Sequence, residues 1–385
     1  MNLTKDLPGL SLFETVMESY KDHWHLTLVI VICIFGIATN ILNIAVLVKR
    51  RPLGASNVLV TGLAFAQVCL LLGFFTGTLQ QRHRCVHFLR SQLGMFVFLM
   101  NANWNLVCHT VAIVHVTVLA ITRFLVLRKT ATDVTIPWLF RGHHARWLVI
   151  IIYISVPLLC APFYFASEVK SETPEGKTLC GWRNDTKGIY TVRYSTFAIN
   201  TGLFEVSFWL FGIFCKLIPC LIIVSVNLLV FIILRRLLER KVSAKRNRSQ
   251  YASTSKILLV IMALVISIEL PQGIVHLVIA LRGSRFAHYV MFLTGDLFEM
   301  LTALYSSINF VLYCAMSSQF RLGFRQTFCG TISSTQTSYP LRNRSGDSLS
   351  AVNIRKGSFR SRRKFGEQET PLTTEEIHLT HIANL

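Results

Sequence analysis

Leu26-Thr-Leu-Val-Ile-Val-Ile-Cys-Ile-Phe-Gly-Ile-Ala-Thr-Asn-Ile-Leu-Asn-Ile-Ala-Val-Leu-Val48 runs for 23 residues without a charge or a proline. A hydrocarbon core of roughly 30 Å takes about 20 apolar residues in a helix, so this stretch is long enough to cross a bilayer. Six more stretches follow: Val58 to Leu79, Leu93 to Leu127, Trp147 to Ala166, Phe204 to Leu234, Ile257 to Leu281 and Tyr289 to Ala315. Lipid cannot satisfy backbone polar groups, so the pattern predicts an all-α membrane protein, a bundle of seven transmembrane helices. A large soluble helical protein would show polar faces at helical period. The first, fourth and sixth stretches show too little polar face for that, and the mean hydropathy of +0.50 agrees.

The chain of 385 residues divides into a head (1–25), one membrane domain (26–330) and a tail (331–385). The head has no apolar segment of signal-peptide type, which leaves the first span as an uncleaved insertion signal. The excess of Lys and Arg over Asp and Glu, 39 against 19, gives a net charge of +20. Seven of these bases crowd Arg235 to Arg248, ahead of the sixth span. An N-terminus outside places that run and the tail on the cytoplasmic side, in accord with the positive-inside rule. Basic juxtamembrane segments facing anionic membrane lipids explain the charge without nucleic acid as a partner. In this orientation the sequons at Asn2 and Asn184 face outward and are glycosylation candidates, whereas those at Asn247 and Asn343 face inward. Most of the ten cysteines lie in spans as small buried hydrophobes. Cys85 and Cys180 fall in outer loops, where oxidation is possible, and are expected to pair.

Several marks stand in a specific order. Trp147 and Pro157 lie in the fourth span, Pro219 in the fifth and Pro271 in the sixth, while Thr122-Arg123-Phe124 closes the third. The seventh carries Asn309-Phe-Val-Leu-Tyr313 and runs into Ser317-Ser-Gln-Phe-Arg-Leu-Gly-Phe324. Across residues 26–330 this order resembles the rhodopsin-like (class A) G-protein-coupled receptors. Four finer strings, Asn101-Ala-Asn-Trp-Asn-Leu-Val-Cys-His-Thr110, Phe214-Cys-Lys-Leu-Ile-Pro-Cys220, Glu269-Leu-Pro-Gln-Gly273 and Ile308-Asn-Phe-Val-Leu-Tyr-Cys314, are similar to the invertebrate myosuppressin and FMRFamide-related neuropeptide receptors. The resemblance implies a plasma-membrane receptor without a cofactor. Its ligand would be a short amidated peptide ending in Arg-Phe-amide, and its partner a heterotrimeric G protein. It further implies a coupling role for Arg123 and a switch role for Asn309 and Tyr313.

The chain also departs from that family. Thr122 stands where the family usually has an acid before the third-span arginine, which removes the ionic partner of Arg123 in the resting state. Gln67, in Leu63-Ala-Phe-Ala-Gln67, replaces the sodium-binding Asp, and an amide offers no formal charge to a desolvated cation. Phe310 replaces the seventh-span proline. Phe98 replaces the usual third-span cysteine, so an outer disulfide would use Cys85.

Two charges lie at depth. Lys216 precedes Pro219 by three residues and Glu269 precedes Pro271 by two, which sets them at similar height in neighbouring helices. A charge there costs at least about 2.5 kcal/mol on insertion scales. Either the two pair, with His109 near them and Gln272 one turn from Glu269, or each meets water separately. Nearer the outer face come Glu205, Asp296 and Glu299. The last two share a helix face, where a ligand arginine would find a bidentate partner; a solvated helix end is the plainer alternative. Asn105 occupies the third-span position where amine receptors hold an aspartate, which disfavours an amine ligand and suits a peptide.

At the inner end, Phe320, Phe324 and Phe328 recur at four-residue steps with Arg321 and Arg325 between them. This predicts a short amphipathic helix over 317–329 lying in the interface, with Cys329 a palmitoylation candidate. The tail is read as disordered. Phosphorylation at Ser345, Ser348, Ser350, Ser358, Ser361, Thr373 or Thr374 would make it a site for an arrestin-like protein. A seven-helix transporter or channel with Lys216 and Glu269 as coupling pair is the alternative, although no internal repeat supports it. His109, His115 and Glu269 lack the spacing of H-E-x-x-H, so neither a catalytic nor a metal role is assigned.

Overall fold

The computed structural model describes residues 8–49, 54–83, 86–132, 142–171, 189–239, 245–316 and 318–328. Helices form wherever the apolar runs are long, since an amide with no water to bond must find its acceptor within its own helix. They are α1 (Pro8–Tyr20), α2 (Leu26–Lys49), α3 (Ala55–Arg82), α4 (Gln92–Thr132), α5 (Gly142–Leu159), α6 (Ala161–Tyr164), α7 (Thr196–Asn200), α8 (Leu203–Leu210), α9 (Ile218–Glu239), α10 (Lys245–Arg282), α11 (Ser284–Met316) and α12 (Ser318–Phe328). Two π-helical stretches interrupt them, Lys21–His25 between α1 and α2 and Phe211–Leu217 between α8 and α9.

Among the described residues, six helical runs are long and apolar enough to cross a membrane: Glu14–Lys49, Ala55–Arg82, Gln92–Thr122, Gly142–Leu159, Leu203–Ile233 and Ala263–Arg282. The seventh expected span falls in α11, 33 residues long, where Asp296, Glu299, Ser306, Ser307 and Asn309 lower the hydropathy. Large apolar side chains face outward, among them Leu158 at 70% exposure and Leu221 at 62%, as suits hydrocarbon rather than water. The head differs from expectation: no element is foreseen before Leu26, yet the chain is helical from Pro8.

The prolines shape the helices. Pro219 has no N–H to give to the carbonyl of Cys215, and the turn before it widens to π geometry. The fifth span is therefore two helices with a register shift between them. In the fourth, α5 ends two residues after Pro157, and the chain re-forms as α6 with Pro162 in its first turn. Gly283, at φ 82°, is the only residue between α10 and α11. Its left-handed backbone, open to glycine at little cost, turns the chain in one step, and its N–H donates to the Ile279 carbonyl at 2.9 Å.

The main core joins α3, α4, α5, α9 and α10 through Leu59, Leu63, Val116, Ile152, Ile223 and Val265. The pairing of α2 with α11 is polar. Asn40, buried, donates from Nδ2 to the carbonyls of Gly36 and Ser306, both at 2.9 Å. A Cβ added at Gly36 would collide with Ser307 Oγ, so the small residue permits the close approach. Cys33, Cys108, Cys160, Cys215 and Cys220 are buried and unbridged, as small core residues.

Beyond the fourth span, β1 (Ser167–Ser171) and β2 (Tyr190–Tyr194) pair antiparallel, with Val169 opposite Val192. Glu168 accepts hydrogen bonds from Lys170 Nζ at 2.8 Å and the Thr196 N–H at 3.0 Å. These donors hold its carboxyl below the usual carboxylate range, so the contact persists at neutral pH and is lost as the pH falls through that lowered value. On α12, Phe320 and Phe324 pack their rings against Phe310 rather than standing apart from the bundle. Arg321 Nη1 donates to the Cys314 and Ala315 carbonyls at 3.0 Å, serving acceptors that the end of α11 leaves open.

Replacing Asn40 by Ala removes both donations to α2 and α11. The expected loss is about 1–2 kcal/mol, read as a lower melting temperature of the solubilised protein; an unchanged melt would show that these bonds do not hold the helices.

Candidate functional site

The deep charges pair. Lys216, on the π stretch before Pro219, and Glu269, on α10, are 1% and 0% exposed, and Lys216 Nζ donates to Glu269 Oε2 at 2.5 Å. The same ammonium donates to Gln272 Oε1 at 2.7 Å and contacts His109 Nε2 on α4. An ammonium has three N–H donors and here meets three acceptors. Nε2 can accept from the lysine only as a neutral imidazole with its proton on Nδ1; with a proton on Nε2 it would donate to Glu269 instead. His109 Nε2 also lies 3.1 Å from Glu269 Oε2, and the Phe211 ring centroid is 5.3 Å from Lys216 Nζ. Of the two sequence readings, a buried pair or separate charges, the structure has the pair.

Local backbone explains how the groups meet. Glu269 and Gln272, three apart, share one face of α10. The π turn brings Lys216 into the interior at 1% exposure. Gly273 allows α10 close: a Cβ there would stand 3.0 Å from Lys216 Cβ and 3.2 Å from Leu217 Cδ2. Removing one member of such a pair strands the other charge, typically at a cost of about 3–5 kcal/mol.

Above this knot is a cavity of about 390 Å³. Asn105, Asp296 and Glu299 line it, together with Gln80, Arg90 and Asn101. Asn105 precedes His109 by one turn of α4, about 6 Å along the axis, so one helix face runs from cavity to knot. Asn105 Oδ1 is buried and has no hydrogen-bond partner among the described residues. Thr78 Oγ1 donates to Glu299 Oε1 at 3.4 Å. The Asp296 carboxylate lies 3.6 Å from Lys21 Nζ and 3.9 Å from His25 Nε2, both on the head's π stretch.

All the expected binding residues but Glu205 therefore fall into two groups. Asn105, Asp296 and Glu299 share the cavity, and His109, Lys216, Glu269 and Gln272 form the knot. Glu205 sits in the first turn of α8 and does not line the cavity. Sequence reasoning missed Gln80 and Arg90, and met Asn101 only inside a longer string; polar residues near helix ends are common, and nothing in their spacing marks these.

Towards the inner end, Asn309 Nδ2 donates to Gln67 Oε1 at 2.9 Å, both residues buried, so an amide pair occupies the place the resemblance gives to a carboxylate. Thr122 turns its hydroxyl to the Val118 carbonyl of its own helix at 2.8 Å. Arg123 and Tyr313 lie on α4 and α11, but their side chains fall outside the described residues. Asn2, Cys85, Cys180, Asn184, Cys329 and the tail lie outside them altogether.

Residues 27–331 match the family described as serpentine type 7TM GPCR chemoreceptor Srw. The chain is also similar to the G-protein coupled receptor dmsr-1 of Caenorhabditis elegans, 24% identical over 375 residues, which spans 84% of this chain and 72% of that protein. Similarity extends to the sex peptide receptor of Drosophila melanogaster, 24% identical over 323 residues, spanning 78% of this chain and 71% of the relative.

Reversing either charge alone, Lys216→Glu or Glu269→Lys, buries two like charges and is expected to abolish surface expression. The double exchange should restore a substantial part of it; a double variant no better than the singles would show that the two groups do not depend on each other.

Proposed function

Because the chain belongs to the Srw family of serpentine seven-transmembrane G-protein-coupled chemoreceptors, a family of signalling receptors rather than enzymes, we propose that it is a peptide receptor of the plasma membrane, with its N-terminus outside and seven crossings. Its ligand is a short amidated peptide ending in Arg-Phe-amide. The observation that carries this reading is the convergence of Asn105, Asp296 and Glu299 on one cavity. Two carboxylates one turn apart suit a guanidinium, which binds them bidentately, and the Asn105 side chain in the cavity wall is an amide rather than a charge, in keeping with a peptide. The name of one relative, the sex peptide receptor, also points to a peptide.

The ligand arginine takes the place of Lys21 at Asp296. Binding there biases the knot one turn below, where displacement of any acceptor leaves Lys216 under-satisfied. A ligand shifts a two-state bundle only by its differential affinity for the two states, and a buried charge set with alternative partners supplies such a difference. At the inner mouth Arg123, with Asn309 and Tyr313, receives a heterotrimeric G protein. Cys85 and Cys180 close an outer disulfide, Asn2 and Asn184 carry glycans, and α12 with a palmitoylated Cys329 rests against membrane lipids. An arrestin-like protein reads the phosphorylated tail.

The test is a signalling assay of the expressed receptor against a panel of Arg-Phe-amide peptides. At least one peptide should activate it, and silence across the panel at normal surface expression would refute the ligand. Asp296→Lys and Glu299→Lys should each raise the half-maximal concentration by about 10-fold or more, the equivalent of about 1.4 kcal/mol. An unchanged response would remove those carboxylates from the site.

A further inference from the structure

His25, Asp296 and Glu299 come from opposite ends of the chain, the first from the π stretch of the head and the others from α11. One ligand-capable atom of each, an imidazole nitrogen and two carboxylate oxygens, lies within 4.8 Å of the others. His25 is 1% exposed, and its Nε2 has no hydrogen-bond partner among the described residues. That nitrogen points at the carboxylates, 3.9 Å from Asp296 Oδ1. The other ring nitrogen is engaged: Nδ1 lies 3.0 Å from the Tyr20 hydroxyl, and the two rings meet edge to face at 5.5 Å.

We infer that these three side chains form a binding site for a divalent cation of the zinc type. A metal-bound histidine characteristically gives its second ring N–H to an oxygen, which fixes the tautomer. Here the Nδ1–H donates to the Tyr20 oxygen, and the lone pair of the buried Nε2 faces the site. Zinc accepts one imidazole nitrogen with carboxylate oxygens at about 2.0–2.2 Å, which separates neighbouring ligand atoms by about 3.5 Å. Rotation of the Asp296 and Glu299 side chains by about 1 Å closes the observed spacing, and the fourth position stays open. Calcium and magnesium prefer all-oxygen sites, so a nitrogen at the centre of the set selects against them. Two carboxylates also match a double positive charge, and Lys21, 3.6 Å from Asp296, is the cation that zinc displaces.

Bound zinc would pin the head to α11. Asp296 and Glu299 also line the cavity, so zinc and a cationic ligand would compete, a consequence that rests on the peptide reading above. The binding site itself does not rest on that reading.

The experiment measures thermal unfolding of the full-length solubilised receptor, without peptide, in EDTA and with excess zinc, calcium or magnesium. Zinc should raise the melting temperature by about 2–4 °C, and calcium and magnesium should not. His25→Ala, which also loses its contacts with Tyr20, should melt below the wild type in EDTA and show no zinc shift relative to its own EDTA melt. If that variant fails to fold, Asp296→Asn carries the same comparison. Retention of the full zinc shift in the foldable variant, an equal shift with calcium, or no shift with zinc would each overturn the site. Because no peptide enters the measurement, its failure is distinct from failure of the ligand assignment.

Discussion

A lysine ammonium inside a membrane bundle has to find an acceptor for each of its three N–H bonds, and the packing of this protein's central helices follows from that requirement. Lys216 finds them on three side chains: His109 of α4, and Glu269 and Gln272 of α10. The local irregularities of this region serve the same contact. Pro219 opens the turn before it, the π stretch brings Lys216 inward, and Gly273 lets α10 approach. The knot fixes the register of α10 against the fifth-span helices more sharply than apolar packing does, since a slipped ion pair strands a charge and a slipped leucine does not.

The rest of the site is layered on this anchor. Asn105 and His109 lie on one face of α4, so the cavity shares a wall with the knot. At the outer end the head meets α11: Lys21 pairs with Asp296, His25 lies beside the same carboxylate, and Glu14 of α1 accepts a hydrogen bond from Tyr289 of α11. These contacts bring the head onto the end of α11, beside the cavity that Asp296 and Glu299 line. At the inner end, the amide pair of Gln67 and Asn309 and the self-bonded Thr122 replace the charged contacts of the class the sequence resembles. Neutral pairs carry little penalty when separated compared with charged ones, so the amide pair holds its helices less firmly than the knot holds its own.

Much of this was legible in the sequence because it depends on residue type at fixed spacing. Apolar length located the helices but not all their ends, since α10 starts at Lys245, well before Ile257, and α5 ends at Leu159, short of Ala166; prolines after Lys216 and Glu269 set the two charges at one height. The convergence of Asp296, Glu299 and Asn105 was also foreseeable, since each is a polar exception in an apolar run. Other features were not. The head's helix begins at Pro8 with no apolar stripe long enough to announce it, and the hairpin of β1 and β2 depends on pairing two short segments across an intervening loop. The meeting of His25 with Asp296 joins opposite ends of the chain, and no local motif reports such a contact. Whether Lys216 paired or faced water could not be decided from spacing alone, because it depends on a π turn that changes which side of the helix the lysine occupies.

Coupling of the outer cavity to the inner face through the buried charge set is read most directly in the affinity of the reconstituted receptor for its activating peptide, with and without a G protein, in the wild type and in the double variant Lys216→Met with Glu269→Leu. Coupled sites strengthen each other reciprocally, so the wild type should bind the peptide more tightly when the G protein is present. The double variant replaces the pair with apolar residues of similar size that can pack in its place. It should bind the peptide but lose that gain in affinity. An equal gain in both proteins would show that the buried pair carries no coupling.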